Sequence, residues 1–292
     1  MTDEPQRKDG ATELRGSPVA AGIRTELAAR VARLVENGTT PHLAVVVGSD
    51  DPAVAKYAGA KGRMAEKLGI GLSVTTIEPT RGQQALNQAI DALCADRNVH
   101  GVILELPLGP GLDAEEAIAR ITPAKDVDGL TTTNLGLVAA GWEANAIAPA
   151  TPAACIRLAE LVGPLAGKRA AVVGRGRSVG RALAPMLVNR DVTVTICHTK
   201  TPDLAAALAP CDLIFVAAGR AGLIGANHVR PGQVVVDAGI NVVDGVLCGD
   251  VDHAAVSPIV AALSPVPGGV GPLTSTLIFS NLMQAIALQQ QS

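Results

Sequence analysis

One stretch decides the fold of the second half of the chain, and it reads Arg169-Ala-Ala-Val-Val-Gly-Arg-Gly-Arg-Ser-Val-Gly-Arg181. A short apolar run meets a glycine-rich turn, a helical pattern follows, and a second β-branched run extends from Val192 to Ile196. Glycines at a strand-to-helix turn let the backbone approach a phosphate, and the helix N-terminus offers unpaired N–H groups. The pattern predicts a dinucleotide site rather than a purely structural turn, and the residues expected to line it are Gly174, Arg175, Gly176, Ser178 and Gly180.

The end of the second β-branched run indicates which dinucleotide binds. NAD-preferring sites usually place an acidic residue there to bind the ribose 2′-hydroxyl. This chain has Cys197-His-Thr-Lys200 instead. Arg175, His198 and Thr199, together with Lys200, could bind a 2′-phosphate, which favours NADP. The alternative is that Arg175 and Lys200 are only solvated surface charges.

Composition limits the remaining possibilities. The chain has 292 residues, of which 48% are hydrophobic, which is enough for two domains. A net charge of −3 and only four aromatic residues argue against nucleic-acid and anionic-membrane partners. The five cysteines are interpreted as buried free thiols, and the five histidines show no metal-ligand spacing. With no signal peptide or long apolar segment, we expect a cytoplasmic protein without a metal site.

Strand and helix patterns alternate along the chain, which predicts parallel-sheet α/β architecture. Two such sets precede the glycine-rich turn. A loop-rich region ends near Pro149-Ala-Thr-Pro152, where we place the domain boundary. The expected fold is therefore two parallel-sheet α/β domains, residues 1–148 and 149–272, the second one Rossmann-like.

Four side chains in the first domain could carry chemistry. Tyr57 and Lys61 are four residues apart on a predicted helix and share one face. Glu105 ends an apolar strand, at the carboxyl edge of a parallel sheet where ligands bind. Asp126 and Asp128 are loop carboxylates that could bind a polar ligand or only stabilise turns.

Several motifs occur together and in order, and they resemble the methylenetetrahydrofolate dehydrogenase/methenyltetrahydrofolate cyclohydrolase family. They are Tyr57-x-x-x-Lys61, Glu105-Leu-Pro107, Pro123-Ala-Lys-Asp-Val-Asp-Gly129, Gly174-Arg175, Val194-Thr-Ile-Cys-His198, Asp237-Ala-Gly-Ile-Asn241, Gly249-Asp-Val-Asp252 and Pro265-Val-Pro-Gly-Gly-Val-Gly-Pro-Leu-Thr274. The resemblance covers residues from about 12 to 290.

The resemblance implies a cleft between two domains, a one-carbon derivative of tetrahydrofolate as substrate, NADP as cofactor, and a homodimer joined through the dinucleotide domains. It also implies that the last helix, 273–292, returns to the first domain. The implied site residues are Tyr57 stacking on the folate, Lys61 as the cyclohydrolase catalyst, Asp128 on the pterin, the loop Pro267, Gly268, Gly269 and Val270 lining the folate site, Arg175 and Thr199 at the 2′-phosphate, and Ile240 beside the cofactor.

Glu105 is the one substantial departure, because the family strand normally ends in Gln-Leu-Pro. Oxidation of the substrate needs mainly positioning, whereas hydrolysis needs proton transfer. An ionised Glu105 would hold Lys61 as the ammonium form and so weaken the cyclohydrolase. A protonated Glu105 could instead copy the amide, or Glu105 could itself be the base. We therefore assign Glu105 to the catalytic group with Tyr57, Lys61 and Asp128.

Two other functions are compatible with parts of the pattern. One is an NADP-dependent dehydrogenase of another small substrate, or a family member that retains only the dehydrogenase. The other is a non-catalytic dinucleotide sensor. The proline- and glycine-rich loop argues against a dehydrogenase of another small substrate. The intact Tyr57, Lys61 and Asp128 argue against a sensor.

Overall fold

The structure is a computed structural model that describes residues 10–291, except for the side chains of Ala53, Ala55, Lys56 and Tyr57. The predicted role of Tyr57 therefore lies outside the described residues. The chain divides into two compact units. The three-stranded unit contains Gly22–Ala150 and residues 275–291, and the six-stranded unit contains residues 10–21 and Thr151–Thr274.

Within the described part of the chain, eleven strands and ten α-helices form. The strands are β1 (Thr12–Glu13), β2 (His42–Val47), β3 (Gly71–Thr76), β4 (Gly101–Glu105), β5 (Arg169–Val173), β6 (Thr193–Cys197), β7 (Leu213–Val216), β8 (Val234–Asp237), β9 (Asn241–Val243), β10 (Val246–Cys248) and β11 (Ala262–Leu263). The helices are α1 (Gly16–Glu36), α2 (Pro52–Leu68), α3 (Gly82–Ala95), α4 (Ala114–Arg120), α5 (Thr132–Ala139), α6 (Ala150–Ala159), α7 (Gly180–Val188), α8 (Leu204–Leu208), α9 (His253–Val256) and α10 (Val270–Gln289). None of these helices is long and apolar enough to cross a membrane.

The three-stranded unit is built on a parallel sheet with the order β3-β2-β4. Strand β2 is central, and its last residue, Val47, pairs with Glu105 at the end of β4. One face packs on α3 and α4, because the apolar residues of β2 and β4 alternate toward those helices. The apolar run before Glu105 therefore carries this carboxylate to the edge of a buried sheet.

The C-terminal part of α10 belongs to the three-stranded unit. Asn281 Nδ2 donates to the backbone oxygens of Val127 and Ala148, at 2.8 and 2.9 Å. Gln289 Nε2 donates to the backbone oxygens of His100 and Ala124. These bonds tie the helix to the residue before β4 and to segments between α4 and α6.

The six-stranded unit contains a sheet with the order β1-β11-β8-β7-β5-β6, in which every neighbouring pair is parallel. A separate antiparallel hairpin is formed by β9 and β10. Strand β5 has β6 on one side and β7 on the other, so the chain reverses its direction of progress across the sheet at β5. Open parallel sheets bind ligands outside the carboxyl ends of the strands at such a point.

The predicted α/β class with two parallel sheets is confirmed, and the predicted cleft between the two parts stays a prediction. The N-terminal segment differs from the expected boundary. The sequence predicts one domain over residues 1–148, whereas Thr12 and Glu13 pair with Ala262 and Leu263 in the sheet of the six-stranded unit. The pairing satisfies backbone groups at the edge of that sheet, which local sequence does not reveal.

Candidate active site

Lys61 and Glu105 form a close ion pair in the three-stranded unit. Lys61 Nζ on α2 donates to Glu105 Oε1 at 2.6 Å, and the two side chains are only 11% and 9% exposed. The helix follows β2 and the carboxylate ends β4, so adjacent strands of one sheet deliver both groups to the same edge. A charge-assisted hydrogen bond of this length, largely removed from water, holds the two side chains together.

Asp126 does not face a ligand, because backbone and side-chain donors use its carboxylate. It is buried and accepts from the backbone N–H groups of Gly129 and Thr131, at 3.0 and 2.7 Å, and from Asn134 Nδ2 at 3.0 Å. Of the two interpretations, the structure supports the one in which Asp126 stabilises a turn. The same turn carries Asp128, which follows Val127 in the chain.

A buried lysine fixes the other end of the same turn. Lys125 Nζ donates to the backbone oxygens of Cys94 and Asp96, each at 2.7 Å. These carbonyls lie at the C-terminal end of α3, where a cation is favoured by the helix dipole. Burial lowers the pKa of Lys125 from its usual value. The turn is thus held from both sides, and Asp128 has a defined backbone position.

Asp128 is an unusual carboxyl group. Burial, reinforced by the nearby Asp126 carboxylate, raises the pKa of Asp128 to about 7. The Lys61 ammonium opposes this effect, whereas the Glu105 carboxylate adds to it. Lys61 and Glu105 therefore both act electrostatically on Asp128, and this carboxyl group titrates near neutral pH.

The glycine-rich turn of the six-stranded unit has the geometry of a phosphate cradle. Gly174 has a φ of 113°, and a Cβ there would lie 2.0 Å from the backbone oxygen of Ala217. A Cβ on Gly180, the first residue of α7, would lie 2.2 Å from the oxygen of Gly174. Gly176 has open space around it, and Arg175 and Ser178 are exposed. Two glycines thus allow tight packing and the third leaves the backbone accessible.

The carboxyl end of β6 provides the second part of this site. His198 Nδ1 accepts from the backbone N–H of Lys200 at 3.1 Å, and the backbone N–H of His198 donates to Thr201 Oγ1. Thr199 and Lys200 are exposed there. Because no acidic side chain occupies positions 197 to 200, the edge suits a 2′-phosphate. Ile240, which follows β8, is 59% exposed.

The loop Pro267–Val270 belongs to the six-stranded unit, and Val270 starts α10. Gly268 has a φ of 111°, which favours glycine, and its backbone oxygen accepts from the N–H of Gly16 at 2.9 Å. A Cβ on Gly269 would lie 2.6 Å from the oxygen of Pro265. The glycines are therefore needed for the shape of the loop itself, and contact of this loop with a substrate stays a prediction.

Sequence reasoning missed several residues that shape these sites. They are Lys125, Asn134 and Asn281 around Asp128, and Asp250 beside the glycine-rich turn. Asp250 belongs to the Gly249-Asp-Val-Asp252 motif, and this motif is the sequence signal that could have pointed to it. Its role nevertheless depends on contacts with residues distant in the chain.

Comparison with known proteins identifies relatives for both units. Residues 14–128 match the tetrahydrofolate dehydrogenase/cyclohydrolase catalytic domain, and residues 149–290 match the NAD(P)-binding domain of the same family. A bifunctional FolD protein of Desulfitobacterium hafniense is 40% identical over 279 residues, which covers 95% of this chain and 98% of the relative.

Two solved structures extend the similarity to the fold. The bifunctional FolD dehydrogenase/cyclohydrolase of Campylobacter jejuni superposes with a TM-score of 0.91 and 35% identity, covering 97% of this chain and 100% of the other. The Trypanosoma brucei enzyme, complexed with NADP and an inhibitor, gives a TM-score of 0.90 and 29% identity, covering 97% of this chain and 99% of the other.

Proposed function

Because this chain belongs to the tetrahydrofolate dehydrogenase/cyclohydrolase family, we propose that it catalyses both reactions of that family. The first is the NADP-dependent oxidation of 5,10-methylenetetrahydrofolate to 5,10-methenyltetrahydrofolate. The second is the hydrolysis of the methenyl compound to 10-formyltetrahydrofolate. The structural observation that carries the proposal is the coupled group Lys61, Glu105 and Asp128 in the unit that matches the catalytic domain.

The residues of this chain fit NADP as the cofactor. Gly174 and Gly180 form a cradle that any Cβ would fill, and Arg175 and Thr199 are exposed beside it. Arg175, His198 and Thr199 would hold the 2′-phosphate, Gly176 and Ser178 the pyrophosphate, and Ile240 would pack on the cofactor. When bound, NADP supplies the hydride acceptor, and the chain itself orients the two reactants.

For the oxidation, the protein needs no acid or base at the reacting carbon, because the folate nitrogen lone pairs stabilise the cation that forms. Tyr57, on the same helix as Lys61, would stack on the folate, and Asp128 would hydrogen-bond the pterin. The loop Pro267–Val270 would line the folate. These contacts contribute by placing the methylene carbon in a reactive position.

For the hydrolysis, water attacks the methenyl carbon and a proton must leave that water. Lys61 is the candidate for this transfer. Its ammonium form, held by Glu105 at 2.6 Å, can stabilise negative charge but cannot accept a proton. We therefore propose that the chain oxidises its substrate efficiently and hydrolyses the product more slowly than it would with a neutral residue at position 105.

A homodimer joined through the six-stranded units is supported by one exposed edge. In the described chain, β6 is the last strand of the sheet, and it contains only uncharged residues, Thr193-Val-Thr-Ile-Cys197. Ile196 is 46% exposed there. An uncharged exposed edge pairs readily with another strand, and we propose that a second copy covers it. Thr195→Lys should reduce the mass measured by light scattering to that of a monomer, and an unchanged dimer would exclude this edge.

One assay with two readouts tests the function. Purified protein receives 5,10-methylenetetrahydrofolate with NADP or NAD, and NADPH formation and methenyltetrahydrofolate are followed together. NADPH with transient methenyl accumulation supports the bifunctional enzyme, and permanent accumulation supports a dehydrogenase alone. Tight NADP binding without NADPH formation from any folate would identify a sensor. NADPH formation only with another small alcohol would identify a different substrate class.

A further inference from the structure

The loop after β7, residues 217–220, forms one side of the crevice at which the strand order reverses. Ala217 N–H continues the sheet by donating to Val173 O at 2.8 Å, directly before Gly174. The closest approach of Gly174 is to the backbone of Ala217. The glycine-rich turn and this loop are therefore adjacent walls of one crevice, and the position of either wall limits the other.

Asp250 holds that loop. Its Oδ2 accepts from the backbone N–H groups of Ala218 and Gly219, at 2.6 and 2.9 Å, and its Oδ1 accepts from the N–H of Arg220 at 2.8 Å. Oδ1 also accepts from Asn241 Nδ2 at 2.9 Å. Asp250 is completely buried. Three successive backbone N–H groups around one anion form a nest, which fixes the backbone conformation of all three residues.

A second carboxylate and two glycines brace Asp250. Asp237 Oδ1 accepts from the backbone N–H of Asp250 at 3.1 Å, and Asp237 Oδ2 accepts from that of Val251 at 2.9 Å. A Cβ on Gly239 would lie 2.3 Å from Asp250 Cγ, and one on Gly249 would lie 1.9 Å from Asp237 Oδ2. The side chain of Asp250 therefore has no room to change its direction, and the turn that carries Ile240 is packed against it.

We infer that Asp250 is a positioning residue for the dinucleotide: its carboxylate sets the shape of the loop 217–220 and, through Asn241, of the turn at Ile240. This inference rests on the proposed NADP-dependent function. Asp250 is separated from the cofactor by the backbone that it holds. Asp250 strengthens binding because it holds both walls of the crevice in place before the cofactor arrives, so that binding does not have to order them.

Asp250→Asn tests the inference with little change in shape. An amide has one oxygen, so its NH2 group must face either the donors of Ala218 and Gly219 or those of Arg220 and Asn241. We expect the NADP Kd, measured by calorimetry, to rise about 10- to 100-fold. In the cofactor-free protein, amides 218–220 should exchange hydrogen faster. Hydrolysis of methenyltetrahydrofolate without NADP should remain at the wild-type rate, since Lys61 belongs to the other unit.

Asp252→Asn is the matched control. Asp252 lies two residues away and is exposed, and among the bonds described its carboxylate accepts only from the N–H of Ala255 at the start of α9. Its NADP Kd should stay at the wild-type value. A folded Asp250→Asn variant with wild-type Kd and amide exchange would overturn the inference, and so would a parallel loss of NADP binding and hydrolysis.

A third variant covers the case in which Asp250→Asn does not fold. Asn241→Ala removes one donor and leaves the three backbone bonds of Asp250 in place. A higher NADP Kd for Asn241→Ala supports the inference, and an unchanged Kd refutes it. Wild-type protein that binds no NADP would refute the proposed function. If the wild type binds NADP and Asp250→Asn binds it with the same Kd, this inference alone is refuted.

Discussion

Replacing Glu105 with Gln should make the cyclohydrolase faster. In the wild-type chain, Lys61 Nζ lies 2.6 Å from the Glu105 carboxylate. Gln keeps an oxygen that can accept a hydrogen bond from Lys61 Nζ, but it removes the negative charge. The bond to Gln keeps the charge of the ammonium donor and loses only the charge of the acceptor. Within the range of about 1.5–3 kcal/mol for hydrogen bonds to charged groups, the ammonium form loses about 1–2 kcal/mol of stabilisation. At about 1.4 kcal/mol per factor of ten, about 5- to 30-fold more enzyme has a neutral amine that can accept a proton.

The assay follows the disappearance of methenyltetrahydrofolate with Glu105→Gln and wild type over a range of pH, beside NADPH formation from the methylene substrate. The hydrolysis rate should rise by the factor given above, whereas the oxidation rate should stay within about twofold because it depends on positioning. Glu66→Gln is the matched control, since Glu66 lies on the same helix, α2, and is exposed. Both of its rates should equal those of the wild type.

A Glu105→Gln variant that hydrolyses more slowly than wild type would refute this reasoning. That result would mean that Glu105 is itself the base. Equal rates with the same pH profile would also refute it, because they would show that the charge at position 105 has no influence on Lys61.

Three further outcomes follow from the same residues. The pKa of Asp128 is raised from 3.8 to about 7, so the stability it contributes is present at low pH and is lost as the pH rises through about 7. Between pH 5 and pH 8, the unfolding free energy of Asp128→Asn should therefore rise by about 1–3 kcal/mol relative to that of the wild type, as measured by thermal unfolding. A difference between the two proteins that stays constant with pH would contradict this. Lys61→Met leaves the Glu105 carboxylate buried without its cation and should lower unfolding free energy in urea by about 3 kcal/mol; Lys61→Met with Glu105→Leu should recover most of it, and no recovery would count against the ion pair as the cause. Arg175→Ala should raise the KM for NADP about tenfold and leave the KM for NAD unchanged, and equal effects on both would exclude contact with the 2′-phosphate.

Features that depend on neighbouring residues could be predicted from the sequence. The strand before Gly174 and the helix after Gly180 follow from periodicity, and the need for glycine follows from its backbone freedom. The carboxylate at Glu105 could be placed at a sheet edge because the apolar run before it ends there. The absence of an acidic side chain after β6 is likewise visible in the chain alone.

Contacts between distant residues were decided only by the tertiary structure. Lys61 and Glu105 are 44 positions apart, and their 2.6 Å bond depends on the parallel register of β2 and β4. Sequence could not separate Asp126, which three donors satisfy, from Asp128, whose pKa is raised by its surroundings. Nor could it pair β1 with β11 or bring Asp250 to a loop about 30 positions earlier.

The physical reason for this division is the range over which each property acts. Backbone freedom, strand and helix period, and the charge of a motif belong to a residue and its neighbours, so the sequence alone determined the α/β class and the glycine cradle. The protonation of Asp128 and the anchoring of the loop after β7 depend on which groups the packed chain removes from water and which donors it brings within hydrogen-bond distance. Those properties exist only in the folded protein, and they determine how its two sites can work.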